Sequence, residues 1–415
     1  MEASELIYDW NSHQRKAVPP RQRVELNDET LRDGLQSPSV RSPSIEEKLE
    51  ILHLLAQVGV DSLDLGLPGA GPHVARDVER LAREIVEARL PLAANCAART
   101  LEVDIRPIVE IAEHTGLQIE VACFLGSSPI RQYAEGWTLE RLRGLVREAV
   151  GFAVRQGLPV MFVTEDTTRA RPEDLQVLYL EAIEAGARRL CVADTVGHAT
   201  PEGTRALVGY LRDLADATGL EIQLDWHGHN DRGLGIANCL AAALAGADRI
   251  HGTILGIGER VGNAALDQLL VNFQLLGWGE RNLEPLGRLC ALVAQTTGVE
   301  IPASYPVFGK DAFRTQTGVH AAAILKAREK GEAWLADRVY SSIPAAWVGR
   351  CQEIEIGPMS GQANAIYWLR SRGFEPKSEL VQALFQRGKQ SRLPLHEAEI
   401  LAICAEFGQR TERPC

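Results

Sequence analysis

The stretch Leu220-Glu221-Ile222-Gln223-Leu224-Asp225-Trp226-His227-Gly228-His229-Asn230-Asp231 reads as a strand ending in a polar turn, with Gly233-Leu234-Gly235-Ile236 opening a helix behind it. Side chains two apart on a strand share a face, so His227 and His229 present their imidazoles side by side. Two imidazoles converging at a strand end suit a divalent metal, although the same pair is also an ordinary polar loop start. The third ligand of such a site should be a carboxylate. Asp33, in Thr30-Leu31-Arg32-Asp33-Gly34-Leu35-Gln36, is the best candidate.

Working outward, the same strand-then-helix unit recurs along the chain. Short apolar runs fall at 24–26, 62–65, 92–96, 119–124, 160–163, 190–193, 222–226 and 250–255. Segments of helical periodicity follow them at 45–58, 74–89, 101–115, 138–156, 172–185, 201–218, 233–245 and 263–276. Ser44 before Ile45 and Thr200 before Pro201 are helix-start signals. Gly116, Gly157, Gly186, Gly219 and Gly246 follow helices, where a left-handed cap is needed. Eight such units predict an α/β fold, a (β/α)8 TIM barrel over residues 23–280. An open doubly wound sheet would be unusually long, and no GxGxxG follows the first strand.

The rhythm stops after Gly277. One helix is expected at 283–297, a break at Pro302 to Pro306, then a glycine- and polar-rich loop at 309–326 that holds His320. Amphipathic helices are expected near 362–372, 379–387 and 396–407. The division expected is an arm at 1–22, the barrel at 23–280 and a mainly helical subdomain at 281–415, acting as a lid or dimer arm.

Hydrophobic content of 45% and charged content of 24% are ordinary globular values, and the net charge is −11 with no basic tract. Neither a nucleic acid nor a membrane is expected as partner. The eight cysteines show no CxxC spacing, and Met1-Glu2-Ala3-Ser4-Glu5 is unlike a signal peptide. Buried reduced thiols in a cytoplasmic protein are the expectation.

Enzymes of the barrel class carry their sites at the C-terminal strand ends. The unusual polar clusters all fall there: Asp28, Arg32, Asp33 and Gln36; Glu165-Asp166-Thr167-Thr168-Arg169; Asp194-Thr195; His227 and His229; and Gly258-Glu259-Arg260-Val261-Gly262-Asn263. Arg32 beside a metal-bound oxygen would steady negative charge, or pair with Asp28 or Glu165. Thr195 would hold a substrate carboxylate or cap a helix, and Glu259 and Arg260 would pair with each other.

Asp28-Glu29-Thr30-Leu31-Arg32-Asp33-Gly34-Leu35-Gln36, the HxHND run at 227–231 and the Gly258 to Asn263 loop resemble the signatures of the DRE-TIM metallolyase superfamily. That group includes isopropylmalate, homocitrate and citramalate synthases and hydroxymethylglutaryl-CoA lyase. The synthase branch fits better, because the lyase carries a cysteine in the GxGERxGN loop and this chain has none. The resemblance implies a divalent metal (Mg, Mn or Zn) on Asp33, His227 and His229, with Asn263 at or beside it. It implies Arg32, Glu165 and His320 as catalytic groups, and Gln36, Arg131, Thr195, Glu259 and Arg260 around the substrate. His320 would reach the partner's barrel in a homodimer.

The implied reaction is a Claisen condensation of acetyl-CoA with a 2-oxo acid, giving a 2-substituted malate. Retro-aldol cleavage of the hydroxymethylglutaryl-CoA type, an alkylmalate synthase with an unusual 2-oxo acid, and a catalytically silent barrel are the alternatives. Two departures stand out. Arg131 occupies a region where isopropylmalate synthases show histidine and homocitrate synthases show arginine, which points to a dicarboxylic substrate. Gly357-Pro358-Met359-Ser360-Gly361 lacks the lysine and histidine of the family's GKHSG.

Overall fold

The computed structural model describes residues 6–11 and 23–409, so most of the expected arm at 1–22 lies outside the described residues. Strands β1 (Glu25–Asp28), β2 (Ser62–Asp64), β3 (Ala93–Arg99), β4 (Ile119–Gly126), β5 (Val160–Glu165), β6 (Arg189–Asp194), β7 (Gln223–Gly228) and β8 (Arg249–Gly252) follow one another around a closed barrel. All pairings are parallel, and β8 closes on β1 with Asp28 opposite Gly252. This is the TIM barrel expected from the sequence.

The helices between the strands are α1 (Ile45–Val58), α2 (Pro72–Glu87), α3 (Glu102–Thr115), α4 (Pro129–Glu135), α5 (Leu139–Arg155), α6 (Pro172–Ala185), α7 (Pro201–Asp216), α8 (Gly235–Ala245) and α9 (Leu266–Leu275). Helix α1 shows why they form. The Ser44 hydroxyl accepts from Glu47 N, and the Glu47 carboxylate accepts from Ser44 N, so two otherwise unpaired N–H groups are satisfied together. Its Ile51, Leu52 and Leu55 are fully buried, each contributing about 1.5–3 kcal/mol. Thr200 caps α7 by accepting from Gly203 N, with Pro201 in the first turn.

Two local expectations change. The eighth helix begins at Leu266 rather than at 263, because Asn263 and Ala265 make bridge contacts with His229 and Thr253. Helix α4 is an addition to the expected elements. Ser128 caps it, Pro129 opens it and Gly136 ends it at φ +65°, between the apolar run at 119–124 and the helical segment at 138–156.

Inside the barrel, charged side chains at the strand starts meet one another. Arg249 Nε and Nη2 lie 2.6 and 2.7 Å from Asp225 Oδ2 and Glu120 Oε2, and Arg189 Nη1 lies 2.8 Å from Asp225 Oδ1. Above them Ala122, Met161 and Cys191 form a thin apolar belt, with Val163 packed against it. Helix α10 (Leu286–Thr297), the one expected at 283–297, docks on the barrel through Arg288 to Glu50 and Arg41 to the Thr296 carbonyl.

The chain divides into two compact units, one within 11–300 and the other within 1–10 and 301–415. In the second, β9 (Arg314–Thr315) pairs in parallel with β10 (Glu353–Ile354). Helices α11 (Gly318–Glu329), α12 (Ala333–Arg338), α13 (Gln362–Ser371), α14 (Ser378–Gln390) and α15 (Glu397–Glu406) complete it, with Trp368, Leu369, Leu384 and Ile400 in its core. The expected loop at 309–326 is therefore mostly β9 and α11, since Ala321-Ala322-Ala323 favours helix and Gly318 sits at the helix's edge. His320 lies in the first turn of α11, its ring stacked on Tyr340 with centroids 3.9 Å apart. The segment that replaces GKHSG anchors this helix. Gly318 N donates to Met359 O at 3.1 Å, and a Cβ on Gly318 would stand 2.7 Å from Gly361 N.

Six cysteines are buried and free, as expected, and Cys351 is exposed. Burial pushes the Cys123 thiol up to about 12, leaving it unreactive. Among the described residues no helix is long and apolar enough to cross a membrane.

Candidate active site

The C-terminal strand ends bring most of the anticipated residues of the barrel unit to one cavity of about 330 Å³. Asp33 enters on a short 3-10 turn after β1, and His227 and His229 at the end of β7. His227 Nε2 and His229 Nε2 stand 3.3 Å apart, and His229 Nε2 is 3.7 Å from Asp33 Oδ2. The ligand atoms of these three residues all lie within 4.8 Å of one another. Asn263 Nδ2 donates to Asp33 Oδ2 at 2.5 Å, which places this side chain against the triad.

The loop that carries Asn263 explains its glycines. Gly258 has φ +146°, and a Cβ there would stand 2.2 Å from Asn263 Nδ2. Arg260 takes the left-handed region at φ +56°, where a bidentate pair with Asp231 (2.8 and 3.0 Å) and a 2.6 Å bond to Thr195 O hold it. Glu259 is a weaker partner at 3.5 Å, so Arg260 pairs chiefly with Asp231 rather than with its neighbour.

Arg32 pairs with Glu29, Asp33 and Asp64, not with Asp28 or Glu165, the two partners expected from the sequence. The reason is that Asp64, at the end of the adjacent β2, offers an acceptor 2.9 Å from Nε. Thr195 does not cap a helix; its hydroxyl accepts from Asp166 N at 2.8 Å while the residue lines the cavity. Gln36 and Glu259 line the cavity as exposed side chains. Arg131, on α4, pairs with Glu135 at 2.7 Å, and its buried Nε lacks a hydrogen-bond partner, the nearest acid being Glu165 at 3.9 Å. His320 belongs to the other unit and is not among this cluster.

Three further acids and bases, not singled out by the sequence motifs, complete the interior. Glu29, Asp64 and His251 also line the cavity. Glu29 stands inside the Asp28–Gln36 motif, and His251 shares its strand face with Arg249, so inward alternation is the signal that could have found them.

The electrostatics divide the groups. Burial favours a neutral Asp33, but Arg32 and then His227 outweigh it and hold the carboxyl below its ordinary range. Burial, then His227, pushes His229 down to about 4, so this imidazole is neutral at pH 7. Burial raises Glu165, against the pull of Arg131. Burial also raises Asp28 to about 7 and Asp64 to about 6.

A divalent cation suits this donor set: an ionised carboxylate, two imidazoles and a buried Asn263 Oδ1 without a partner. A larger cavity of about 820 Å³ lies in the C-terminal unit, but no histidine is among its lining residues.

The comparisons with known proteins agree with this architecture. The HMGL-like family model matches residues 23–293. The 2-isopropylmalate synthase of Pyrococcus furiosus is 34% identical over 396 residues, covering 92% of this chain and 76% of that protein. The homocitrate synthase AksA of Methanopyrus kandleri is 34% identical over 369 residues, covering 88% and 87%. The crystal structure of hydroxymethylglutaryl-CoA lyase from Pseudomonas aeruginosa shares the fold, with a TM-score of 0.55 and 20% identity over 67% of this chain and 93% of that one. The chain belongs to the HMGL-like family of TIM barrels. It is an enzyme of that family's synthase branch.

Proposed function

We propose that the enzyme condenses acetyl-CoA with a 2-oxo acid to give a 2-substituted malate and coenzyme A. The observation that carries this reading is the convergence of Asp33, His227 and His229 beside Arg32 in one cavity, in a chain similar to a 2-isopropylmalate synthase and a homocitrate synthase. Asp33, His227 and His229 would hold a divalent metal, with Asn263 beside it; bound there, the ion supplies Lewis-acid polarisation of the 2-oxo group.

Glu165 is the proposed base. Its raised affinity for a proton fits removal of a methyl proton from the thioester, and the resulting carbanion equivalent attacks the ketone carbon. Arg32, fixed by three carboxylates, donates toward the oxygen that gains charge as the C–C bond forms. Thr195, Gln36, Glu259 and Arg260 shape the mouth around the substrate. Water then cleaves the thioester and releases coenzyme A. His320 is proposed as a further acid/base group supplied by a partner subunit of a homodimer.

The cavity is also lined by Ala97, Ala122, Phe124, Met161, Val163 and Cys191, which suits the carbon chain of the 2-oxo acid. Arg131, which lines the cavity and whose buried Nε lacks a hydrogen-bond partner, favours a substrate with a distal carboxylate. The test is coenzyme A release from acetyl-CoA, with and without EDTA, over 2-oxoglutarate, 2-oxoisovalerate, pyruvate, oxaloacetate and phenylpyruvate. Chelator-sensitive turnover is expected, strongest with a dicarboxylic acid. No turnover with any of them, and cleavage of hydroxymethylglutaryl-CoA instead, would replace the synthase by the lyase.

A further inference from the structure

We propose that His251 is a positioning residue that locks Glu29, and that Glu29 in turn locks the ring of His227 with its Nε2 facing the metal position. The inference rests on the metal reading above and concerns how this chain prepares one of its ligands.

His251 is 2% exposed. Its Nδ1 lies 2.5 Å from Glu29 Oε1 and its Nε2 lies 2.8 Å from Asp225 Oδ2. An imidazole held at both nitrogens by carboxylate oxygens is fixed in position and orientation. Asp225 is itself immobilised by Arg189 and Arg249.

Glu29 is pinned as firmly. Arg32 occupies Oε2, and Oε1 faces both His251 and His227 Nδ1, the latter at 3.3 Å. A carboxylate accepts but does not donate, so it selects the His227 tautomer with its proton on Nδ1. The lone pair then sits on Nε2, which is the nitrogen turned toward His229. A carboxylate behind a ligating histidine fixes ring and tautomer, and losing such a partner costs about 10–100-fold in metal affinity. Here His251 and Arg32 hold that carboxylate, and Asp225 holds His251 from behind.

Glu29, His227 and His251 also lie close enough to form a second metal cluster. Both His251 nitrogens are already engaged by carboxylate oxygens, so the geometry favours the orienting role.

The experiment is Co²⁺ binding to the full chain, by chelator competition and by the visible absorption of the bound ion, in wild type and His251→Gln. One ion per chain in both is expected, bound about 10–100-fold more weakly in the variant and with an altered visible spectrum. Unchanged affinity and spectrum would overturn the proposal, as would two ions in wild type and one in the variant. Should His251→Gln fail to fold, ¹⁵N-histidine NMR of the metal-free wild type still decides. A proton on His227 Nδ1 supports the proposal, and one on Nε2 refutes it. A wild-type chain that binds no Co²⁺ would sink the metal reading, while the tautomer measurement would still judge the orientation of His227.

Discussion

The two ends of this barrel bury charge to opposite purposes. At the strand starts, Glu120, Arg189, Asp225 and Arg249 pair among themselves, and even the third nitrogen of Arg249 reaches Ser62 Oγ at 3.2 Å. At the strand ends, Asp33, His227 and His229 crowd together while His229 Nδ1 and Asn263 Oδ1 remain buried without partners. Burying a polar group costs free energy unless it is hydrogen-bonded. The four paired charges therefore close on one another as a plug, whereas the unpaired atoms beside Asp33, His227 and His229 carry a cost that a bound cation would relieve. The apolar belt of Ala122, Met161 and Cys191 lies between them, and the contact of Asp225 with His251 connects the plug to the site.

The comparison breaks most visibly at the site end. His229→Ala should reduce chelator-sensitive coenzyme A release by about a thousandfold or more, with the urea midpoint little changed. Full activity in that variant would remove His229 from the metal site. The plug should behave the other way. Arg189→Met leaves Asp225 and Glu120 short of a partner and should cost about 3–5 kcal/mol in urea unfolding, while Co²⁺ affinity of the folded protein, in which Arg249 still holds Asp225, falls less than in His251→Gln. A variant that lost metal affinity but no stability would erase the distinction between the ends.

A pH experiment sharpens it. Asp28, buried at the end of β1 with only Thr30 bonded to its carboxyl, is raised to about 7, above its unfolded value of about 3.9. Its contribution to stability is then fully present below pH 4 and is lost as the pH rises through 7. Asp28→Asn should flatten that fall by about 4 kcal/mol between pH 4 and 8, read from urea midpoints. An identical slope in both proteins would contradict the raised proton affinity. The smallest effect is expected at the rim. Arg131→Ala should lower kcat/KM for 2-oxoglutarate by about 10–100-fold and leave 2-oxoisovalerate nearly unaffected, since a charged hydrogen bond is worth about 1.5–3 kcal/mol. Equal losses on both acids would make Arg131 a structural residue of α4.

Much of this architecture is legible in the order of the residues. Alternation of short apolar runs with helical periodicity is a local pattern, so the barrel and its helix caps at Ser44 and Thr200 follow from neighbours in the chain. The site's motifs are legible for the same reason, because each lies in one strand-end loop. Helix α4 and the helix that carries His320 are not, being short or built from small residues whose helical state needs a surface to pack on.

By itself the sequence determined the repeating βα unit, the rim on which the polar residues gather and the candidate triad of Asp33, His227 and His229. Only the tertiary structure decided that Arg32 pairs with Asp64, that Thr195 holds the Asp166 backbone, and that His251 meets Glu29 across 222 residues of chain. Those contacts depend on where β8 closes against β1. Closure aligns distant strands through the register of their backbone hydrogen bonds, which no local pattern of side chains encodes.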